Sequence, residues 1–173
     1  MSEEDTTNKI GQYFVWLAWI AAIGLLVLFF QDMLEKQWNP NTSPNSYQTE
    51  SGLEEVHLQR NKQGHYLTVG EINQQSVIFL LDTGATDVSI PQHIAENLNL
   101  PRYNSYQVAT ANGNTQVYRS VIKELTIGNI ALYNVEANVN PSFKSNEILL
   151  GMSALKQLEL HQSGKTLILR EQK

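Results

Sequence analysis

The chain has 173 residues, of which 42% are apolar and 17% are charged, a composition that suits a globular core and excludes a largely disordered chain. It contains no Cys, which excludes disulfides, thiol catalysis and Cys-ligated zinc. The net charge of −5 comes without any cluster of Lys and Arg, so nucleic-acid binding has no support, and the four His residues lack the spacing of a metal site.

An uncharged apolar segment, YFVWLAWIAAIGLLVLFF, occupies residues 13–30. In a helix this segment spans about 27 Å, close to the thickness of a hydrocarbon core, and Trp16 and Trp19 are typical of interfacial aromatics. A cleaved signal peptide and a buried helix are the alternatives. The acidic start MSEED and the lack of a small-x-small cleavage site favour an uncleaved anchor. We therefore predict an N-terminal tail at 1–12 and a transmembrane helix at 13–31.

The orientation of this segment stays open, because Lys9 lies on one side and Lys36 on the other, which makes the positive-inside count equal. The following sequence, WNPNTSPNSYQTESG, is rich in Asn, Ser, Thr and Pro and has no apolar period. This composition predicts a flexible linker over 32–52. The remaining residues, 53–173, are about 120 in number and are enough for one folded domain.

Short alternating or apolar segments separated by turn signals predict a domain made mostly of strands. The predicted strands are 55–60, 65–72, 76–82, 87–90, 106–110, 115–127, 130–139 and 165–170. Short helices are predicted at 91–98, with Pro91 in its first turn, and at 152–158. Asn-Gly at 112–113 favours a type I′ hairpin. Many short strands at close spacing predict an all-β domain, either a compact barrel or a sandwich.

One predicted strand ends in an acid. The sequence FLLDTGATDVSI at 79–90 places Asp82 directly after three apolar residues. A carboxylate at this position is costly unless the protein needs it there. Thr83 can form a hydrogen bond through its hydroxyl, and Gly84 allows a tight turn whose N–H groups orient a carboxylate. The simpler interpretation is a turn Asp that caps its own loop. The buried strand before it, and the short strand and helix start after it, favour a functional site.

At this point the chain resembles the retropepsin-like aspartic proteases, above all in LLDTGAT at 80–86. The sequence ILLGMSAL at 148–155 is similar to the apolar pair and Gly that precede a short helix in that family and pack near the catalytic loop. The sequence YQVATANGNTQVY at 106–118 is similar to the flap, a hairpin that closes over the substrate. The resemblance covers 53–170, and it is closest to small bacterial members with an N-terminal membrane segment. It implies a retropepsin-like closed β-barrel with a flap hairpin and one or two short helices, preceded by a single transmembrane helix.

The resemblance also implies a mechanism. Two facing carboxylates share one proton and activate a water molecule, so no cofactor or metal is needed. Because the chain contains a single DTG, the implied enzyme is a C2 homodimer with Asp82 of each subunit at the axis. In the implied active-site loop of Thr83, Gly84 and Ala85, Thr83 binds across the dimer and Gly84 offers its backbone to the substrate. The implied flap candidates and supporting apolar-Gly motif are Thr110, Ala111, Asn112, Gly113, Asn114, Leu149, Leu150 and Gly151.

The chain departs from the family pattern at two positions. Thr86 and Met152 stand where many retroviral relatives have an Asp and an Arg that pair to brace the dimer. Asp87, one position further on, has no Arg placed to partner it in the sequence, and we interpret it as a turn or strand-end acid. Tyr106, near the flap, could form a hydrogen bond near the active carboxylates, but we expect it to be a packing or surface residue.

The predicted function is therefore that of a membrane-anchored aspartic endopeptidase. Its partners are a second copy of the chain, a peptide or protein substrate near the membrane, and the membrane itself through 13–31. Confinement to the membrane would raise the local concentration of subunits. The alternative is a non-catalytic dimerising or peptide-binding module with the same fold. Similar anchored proteins imply a single-pass protein of the bacterial inner membrane with its protease domain in the periplasm.

Overall fold

The computed structural model describes residues 3–110 and 113–172. It divides into a helical unit that ends at Gln37 and a compact unit that begins at Trp38. The elements are α1 (Glu3–Trp38), β1 (Asn45–Gln48), β2 (Glu54–Gln59), β3 (Leu67–Ile72), β4 (Gln75–Leu81), β5 (Val88–Pro91), α2 (Gln92–Asn97), β6 (Ser105–Thr110), β7 (Gly113–Ile127), β8 (Ile130–Asn140), β9 (Ile148–Leu150), α3 (Met152–Leu155), β10 (Leu158–Ser163) and β11 (Thr166–Glu171).

The N-terminal helix α1 exposes apolar side chains on all its faces between Tyr13 and Phe30. A helix that is apolar all round has no polar face to turn toward water. In the part of the chain that the structure describes, Gly11–Trp38 is the one helical segment long and apolar enough to cross a membrane. The helix itself extends beyond the predicted 13–31 at both ends.

A four-stranded sheet has the order β1-β2-β11-β10, with all neighbours antiparallel. The last strand, β11, therefore has a neighbour from its own chain along both edges. The sequence predicted β2 and β11, although it predicted neither β1 nor β10. The side chains of β10 are exposed after Leu158, so the strand lacks the alternation of buried and exposed residues that marks a strand in a sequence.

The predicted flexible linker over 32–52 is wrong for much of its length. Residues up to Trp38 continue α1, and Asn45–Gln48 form β1. Between them Asn41 is buried, and its amide donates to the carbonyl oxygens of Gln59, at 2.9 Å, and Leu67, at 2.6 Å. Its side-chain oxygen accepts the N–H of Gln59 at 2.7 Å. The segment was predicted to be a flexible linker because of its polar composition. Its Asn41 is instead held by hydrogen bonds to residues that follow it in the chain.

A seven-stranded sheet forms the rest of the domain, in the order β3-β4-β9-β5-β8-β7-β6. An additional pairing of β3 with β7 brings this sheet round on itself through two residue pairs. The predicted all-β domain is confirmed, with a barrel that is not strictly closed. The two short helices are present, although α3 ends at Leu155, earlier than predicted. The largest fully buried side chains of the core are Phe79, Leu58, Ile72, Ile90, Ile122, Leu125, Ile127, Ile130, Ile148, Leu150, Leu155 and Leu169.

Candidate active site

Asp82 is the first residue after β4. Its N–H donates to the carbonyl oxygen of Leu150 at 3.1 Å, which continues the parallel pairing of β4 with β9. The predicted apolar pair, Leu149 and Leu150, therefore lies on the strand next to the one that carries Asp82. Leu150 is fully buried, and burial of its apolar side chain stabilises β9 beside the end of β4.

The loop after β4 orients the carboxylate of Asp82. The N–H of Gly84 donates to Asp82 Oδ1 at 2.9 Å, and the N–H of Ala85 donates to the carbonyl oxygen of Asp82 at 3.2 Å. A Cβ at Gly84 would lie 3.1 Å from the same Oδ1, so a side chain there would crowd the acid. Asp82 is half-buried, while Thr83 and Gly84 are exposed. The carboxylate is thus held in one orientation and stays open to solvent.

Gly151 holds the Asp82 loop against α3. A Cβ at Gly151 would lie 2.6 Å from the carbonyl carbon of Asp87 and 2.8 Å from the carbonyl oxygen of Ala85, closer than real Cβ contacts. Only Gly allows this approach. Directly after it, the N–H of Met152 donates to the oxygen of Ala85 at 2.8 Å, and that of Ser153 donates to the oxygen of Thr86 at 2.8 Å. Thr86 and Met152, which replace the Asp and Arg of retroviral relatives, therefore brace the loop through their backbones.

Ser153 adds a side-chain link that the sequence analysis missed. Its hydroxyl accepts the N–H of Val88 at 3.0 Å and donates to the carbonyl oxygen of Glu136 at 2.6 Å. Ser153 is buried, so both hydrogen bonds are shielded from water. The residue joins the strand after the Asp82 loop, α3 and β8. A single Ser two positions after a Gly carries no distinctive signal in a sequence, because its partners lie 17 and 65 residues away.

The flap prediction corresponds to the hairpin of β6 and β7. Their antiparallel register pairs Thr110 with Gly113, and Gly113 has a φ of +103°, which suits Gly. The hydroxyl of Thr110 donates to the carbonyl oxygen of Gly113 at 2.7 Å. Two other predicted flap residues, Ala111 and Asn112, lie outside the described residues. Toward the tip, Thr115 bonds to Ser142 at 2.8 Å, which connects β7 to the loop after β8.

An open cleft of about 800 Å³ lies between the Asp82 loop and this hairpin. It brings together most of the predicted site residues, namely Asp82, Gly84, Ala85, Thr110, Gly113, Asn114 and Leu149. Polar residues that the prediction did not include complete its wall: Thr86, Asp87, Ser89, Thr115, Asn138, Asn140 and Ser142. Thr83, Leu150 and Gly151 support the site without lining the cleft. In the described part of the chain, no group of three or more His, Asp or Glu side chains is arranged to hold a metal ion.

The interpretation of Tyr106 as a packing or surface residue is wrong. Its hydroxyl donates to Asp87 Oδ2 at 2.7 Å, so the half-buried phenol connects the flap strand β6 to the loop after Asp82. Burial of the ring, and then the adjacent Asp87 carboxylate, raise the pKa of Tyr106 to about 12. Asp87 lies directly before β5, at the strand end where the sequence predicted it. Its partner is a Tyr 19 residues away rather than an Arg.

Comparisons with known proteins agree with this geometry. A model of the family described as "gag-polyprotein putative aspartyl protease" matches residues 68–157, slightly more than half of the chain. An uncharacterized protein in the cobV 5′ region of Sinorhizobium sp is 35% identical over 114 residues, which cover 64% of this chain and 49% of the relative. The uncharacterized protein RP867 of Rickettsia prowazekii is 26% identical over 128 residues, which cover 72% of this chain and 54% of the relative. This chain thus spans about half the length of the curated relatives it matches.

Among solved structures, a retropepsin-like aspartic protease from Rickettsia conorii superimposes with a TM-score of 0.58 and 24% identity, covering 75% of this chain and 96% of that chain. This likeness concerns the fold. The family match shows that the sequence of the site is also similar to the family. It runs from β3 through α3 and includes the Asp82 loop, the flap hairpin and the apolar-Gly motif. The chain therefore belongs to the gag-polyprotein putative aspartyl protease family and has a retropepsin-like fold.

Proposed function

We propose that this protein is a membrane-anchored aspartic endopeptidase whose catalytic pair is formed by Asp82 of two subunits. The observation that carries the proposal is the position of Asp82. Its carboxylate is fixed by the N–H of Gly84 at 2.9 Å and opens into a cleft of about 800 Å³ beneath the flap hairpin. An oriented acid in a concave, partly polar cleft is the arrangement expected of a hydrolytic site.

The proposed chemistry needs both carboxylates. Two acids held a few ångströms apart share one proton, because both cannot be ionised at that distance. The ionised Asp82 takes a proton from water as the oxygen attacks the carbonyl carbon of the peptide bond, and the protonated Asp82 donates to the carbonyl oxygen. As the C–N bond breaks, the leaving nitrogen takes up a proton from the pair. The products are a carboxylic acid and an amine.

A second copy of the chain supplies the second acid. A C2 axis beside the Asp82 loop would place the two carboxylates together, and the exposed Thr83 is available there to contact the partner. Both edges of β11 are already occupied by β2 and β10 of the same chain. We therefore propose that the subunits meet through their active-site loops and do not exchange their C-terminal strands.

The proposed anchor is the apolar helix, with residues 13–31 in the bilayer and a short tail at 1–12. Its support is the length and the uniform exposure of apolar side chains in α1. Together with the resemblance to anchored bacterial proteins, this favours a single-pass protein of the inner membrane with its protease domain in the periplasm. The proposed substrates are extended segments of peptides or proteins near that membrane. Confinement to the membrane raises the effective concentration of subunits and lets a modest interface form dimers.

The test uses the full-length protein in detergent with a fluorogenic peptide library between about pH 4 and 7. We expect Asp82→Asn to reduce cleavage at least about a thousandfold, because both subunits then lack the carboxylate. Glu71→Gln is the matched control, since it makes the same acid-to-amide change at an exposed position on β3. Equal mixing of wild-type and Asp82→Asn subunits should leave about a quarter of the activity, because only wild-type pairs have two acids.

Three results would contradict the proposal. Full activity of the Asp82→Asn variant would exclude the acid as a catalytic residue. Half of the activity in the equal mixture would show that each subunit works alone. A wild-type protein that binds library peptides and cleaves none of them would identify the non-catalytic binding module instead.

A further inference from the structure

The flap has a side-chain attachment at its base. Strand β6 lies at the edge of the seven-stranded sheet and pairs with β7 alone. On this strand Tyr106 reaches back to Asp87, and the bond from its hydroxyl to Asp87 Oδ2 is 2.7 Å long. Asp87 stands five positions after Asp82 and lines the same cleft. One hydrogen bond thus joins the loop that carries the acid to the hairpin that covers it.

The surroundings of Tyr106 favour a persistent bond. The guanidinium carbon of Arg119 lies 5.0 Å from the centroid of the phenol ring, where a cation is attracted to the ring face. The nearby amide of Asn138 is itself fixed by Ser89, whose hydroxyl donates to Asn138 Oδ1 at 2.8 Å. Because the pKa of Tyr106 is raised to about 12, the phenol remains a donor throughout the range in which an aspartic pair would work.

The tip of the flap is held differently. The contact between Thr115 and Ser142 is exposed, whereas that between Tyr106 and Asp87 is partly buried and involves a carboxylate. A hydrogen bond to a charged, partly buried group is stronger than one between two exposed hydroxyls. The base of the hairpin should therefore stay attached even when the contact between Thr115 and Ser142 breaks.

Resting on the proposed function, we infer that Tyr106 and Asp87 are positioning residues that set the height of the flap over Asp82. A flap held at the right height closes on the peptide and keeps the scissile bond near the acid, so the attachment acts through substrate capture. Neither residue takes part in proton transfer.

The test compares Tyr106→Phe with Tyr118→Phe in the full-length protein in detergent. Tyr106→Phe removes the hydroxyl and keeps the ring that faces Arg119. Tyr118 is the matched control, because it is a half-buried Tyr of β7 that does not line the cleft. Arg102 lies over its ring at 5.9 Å, and its hydroxyl has no hydrogen-bond partner among the described residues. We expect Tyr106→Phe to raise KM about tenfold for a peptide cleaved from the library, with a smaller change in kcat. We expect Tyr118→Phe to change neither.

A second measurement does not depend on catalysis. Amide hydrogen exchange of 105–110 and 113–118 in the unliganded protein should become faster in Tyr106→Phe and stay as in wild type in Tyr118→Phe. Asp87→Asn, which keeps a neutral oxygen acceptor, should exchange more slowly than Asp87→Ala, whereas Asp87→Ala should match Tyr106→Phe. The double variant Tyr106→Phe/Asp87→Ala should show no further increase, since both changes break the same bond.

Equal flap exchange in Tyr106→Phe and Tyr118→Phe would overturn the inference, as would additive effects of the two changes in the double variant. These outcomes differ from a failure of the proposed function, which would appear as a wild-type protein without cleavage. In that case the exchange data alone decide whether the attachment exists.

Discussion

The close approach of Gly151 to the Asp82 loop allows a test of how strictly that loop must be placed. In Gly151→Ala the new methyl group would lie 2.6 Å from the carbonyl carbon of Asp87 and 2.8 Å from the carbonyl oxygen of Ala85. Ordinary contact begins near 3.4 Å, so the loop must withdraw by about 1 Å. Both obstacles are backbone atoms, which cannot turn aside as a flexible side chain can.

The expected cost has two parts. Overpacking of this kind destabilises a core by about 1–3 kcal/mol, which lowers the melting temperature. A displacement of about 1 Å in a catalytic group reduces the rate about a hundredfold, which corresponds to about 2.7 kcal/mol of transition-state stabilisation. On the proposed function, we therefore expect kcat/KM per folded dimer to fall about a hundredfold in Gly151→Ala, beyond any loss of folded protein.

Gly70→Ala is the matched control. Its Cβ would lie 2.7 Å from the ring of Phe79 and would also collide with the carbonyl oxygen of Thr126, so it creates a comparable steric conflict. Gly70 lies on β3, opposite Val77 and away from the Asp82 loop. Thermal unfolding and peptidase assays of both full-length variants separate the two effects. If Gly151→Ala lowered the melting temperature and kept the kcat/KM of Gly70→Ala, the argument that Gly151 positions the acid would be refuted.

Two further predictions concern the stability of the domain. Asn41→Ala should lower the free energy of unfolding by about 3 kcal/mol, because it removes the amide that donates to the buried carbonyl of Leu67. The control, Asn104→Ala at an exposed position, should change this free energy little. Urea unfolding of both variants measures the difference. Arg170, and then His57, hold the pKa of Glu55 below its usual value of 4.5. This pairing stabilises the fold above the usual pKa and is lost as the pH falls through the lower folded pKa, so the melting temperature should fall as the pH drops below 4.5, and less steeply in Arg170→Gln.

Local signals in the sequence predicted a turn directly after the strand that ends at Asp82, because the contacts that shape the Asp82 loop are short-range. Gly84 reaches Asp82 from two residues away, and Gly113 closes a hairpin on Thr110. The strands with clear alternation, such as β7 and β8, were predicted for the same reason. The assignment of Asp82 as catalytic stays a prediction until cleavage is measured.

The features that the sequence did not predict depend on partners far along the chain. Asn41 meets Leu67 across 26 residues, and Tyr106 meets Asp87 across 19. An Asn between Pro and Thr is typical of a loop, and a Tyr on a strand is typical of packing, so neither residue type reveals a specific bond. Only the fold brings the partners together.

The replacement of the retroviral Asp and Arg has a consequence for assembly. In this chain the Asp82 loop is braced within one subunit, by the backbones of Thr86 and Met152 and by the hydroxyl of Ser153. On the proposed function, each monomer therefore carries its acid already oriented, and dimerisation has only to supply the second carboxylate. An interface that need not build the loop can be small, since less ordering accompanies association. Confinement of α1 to a membrane would raise the effective concentration of subunits and so favour the dimer that completes the site.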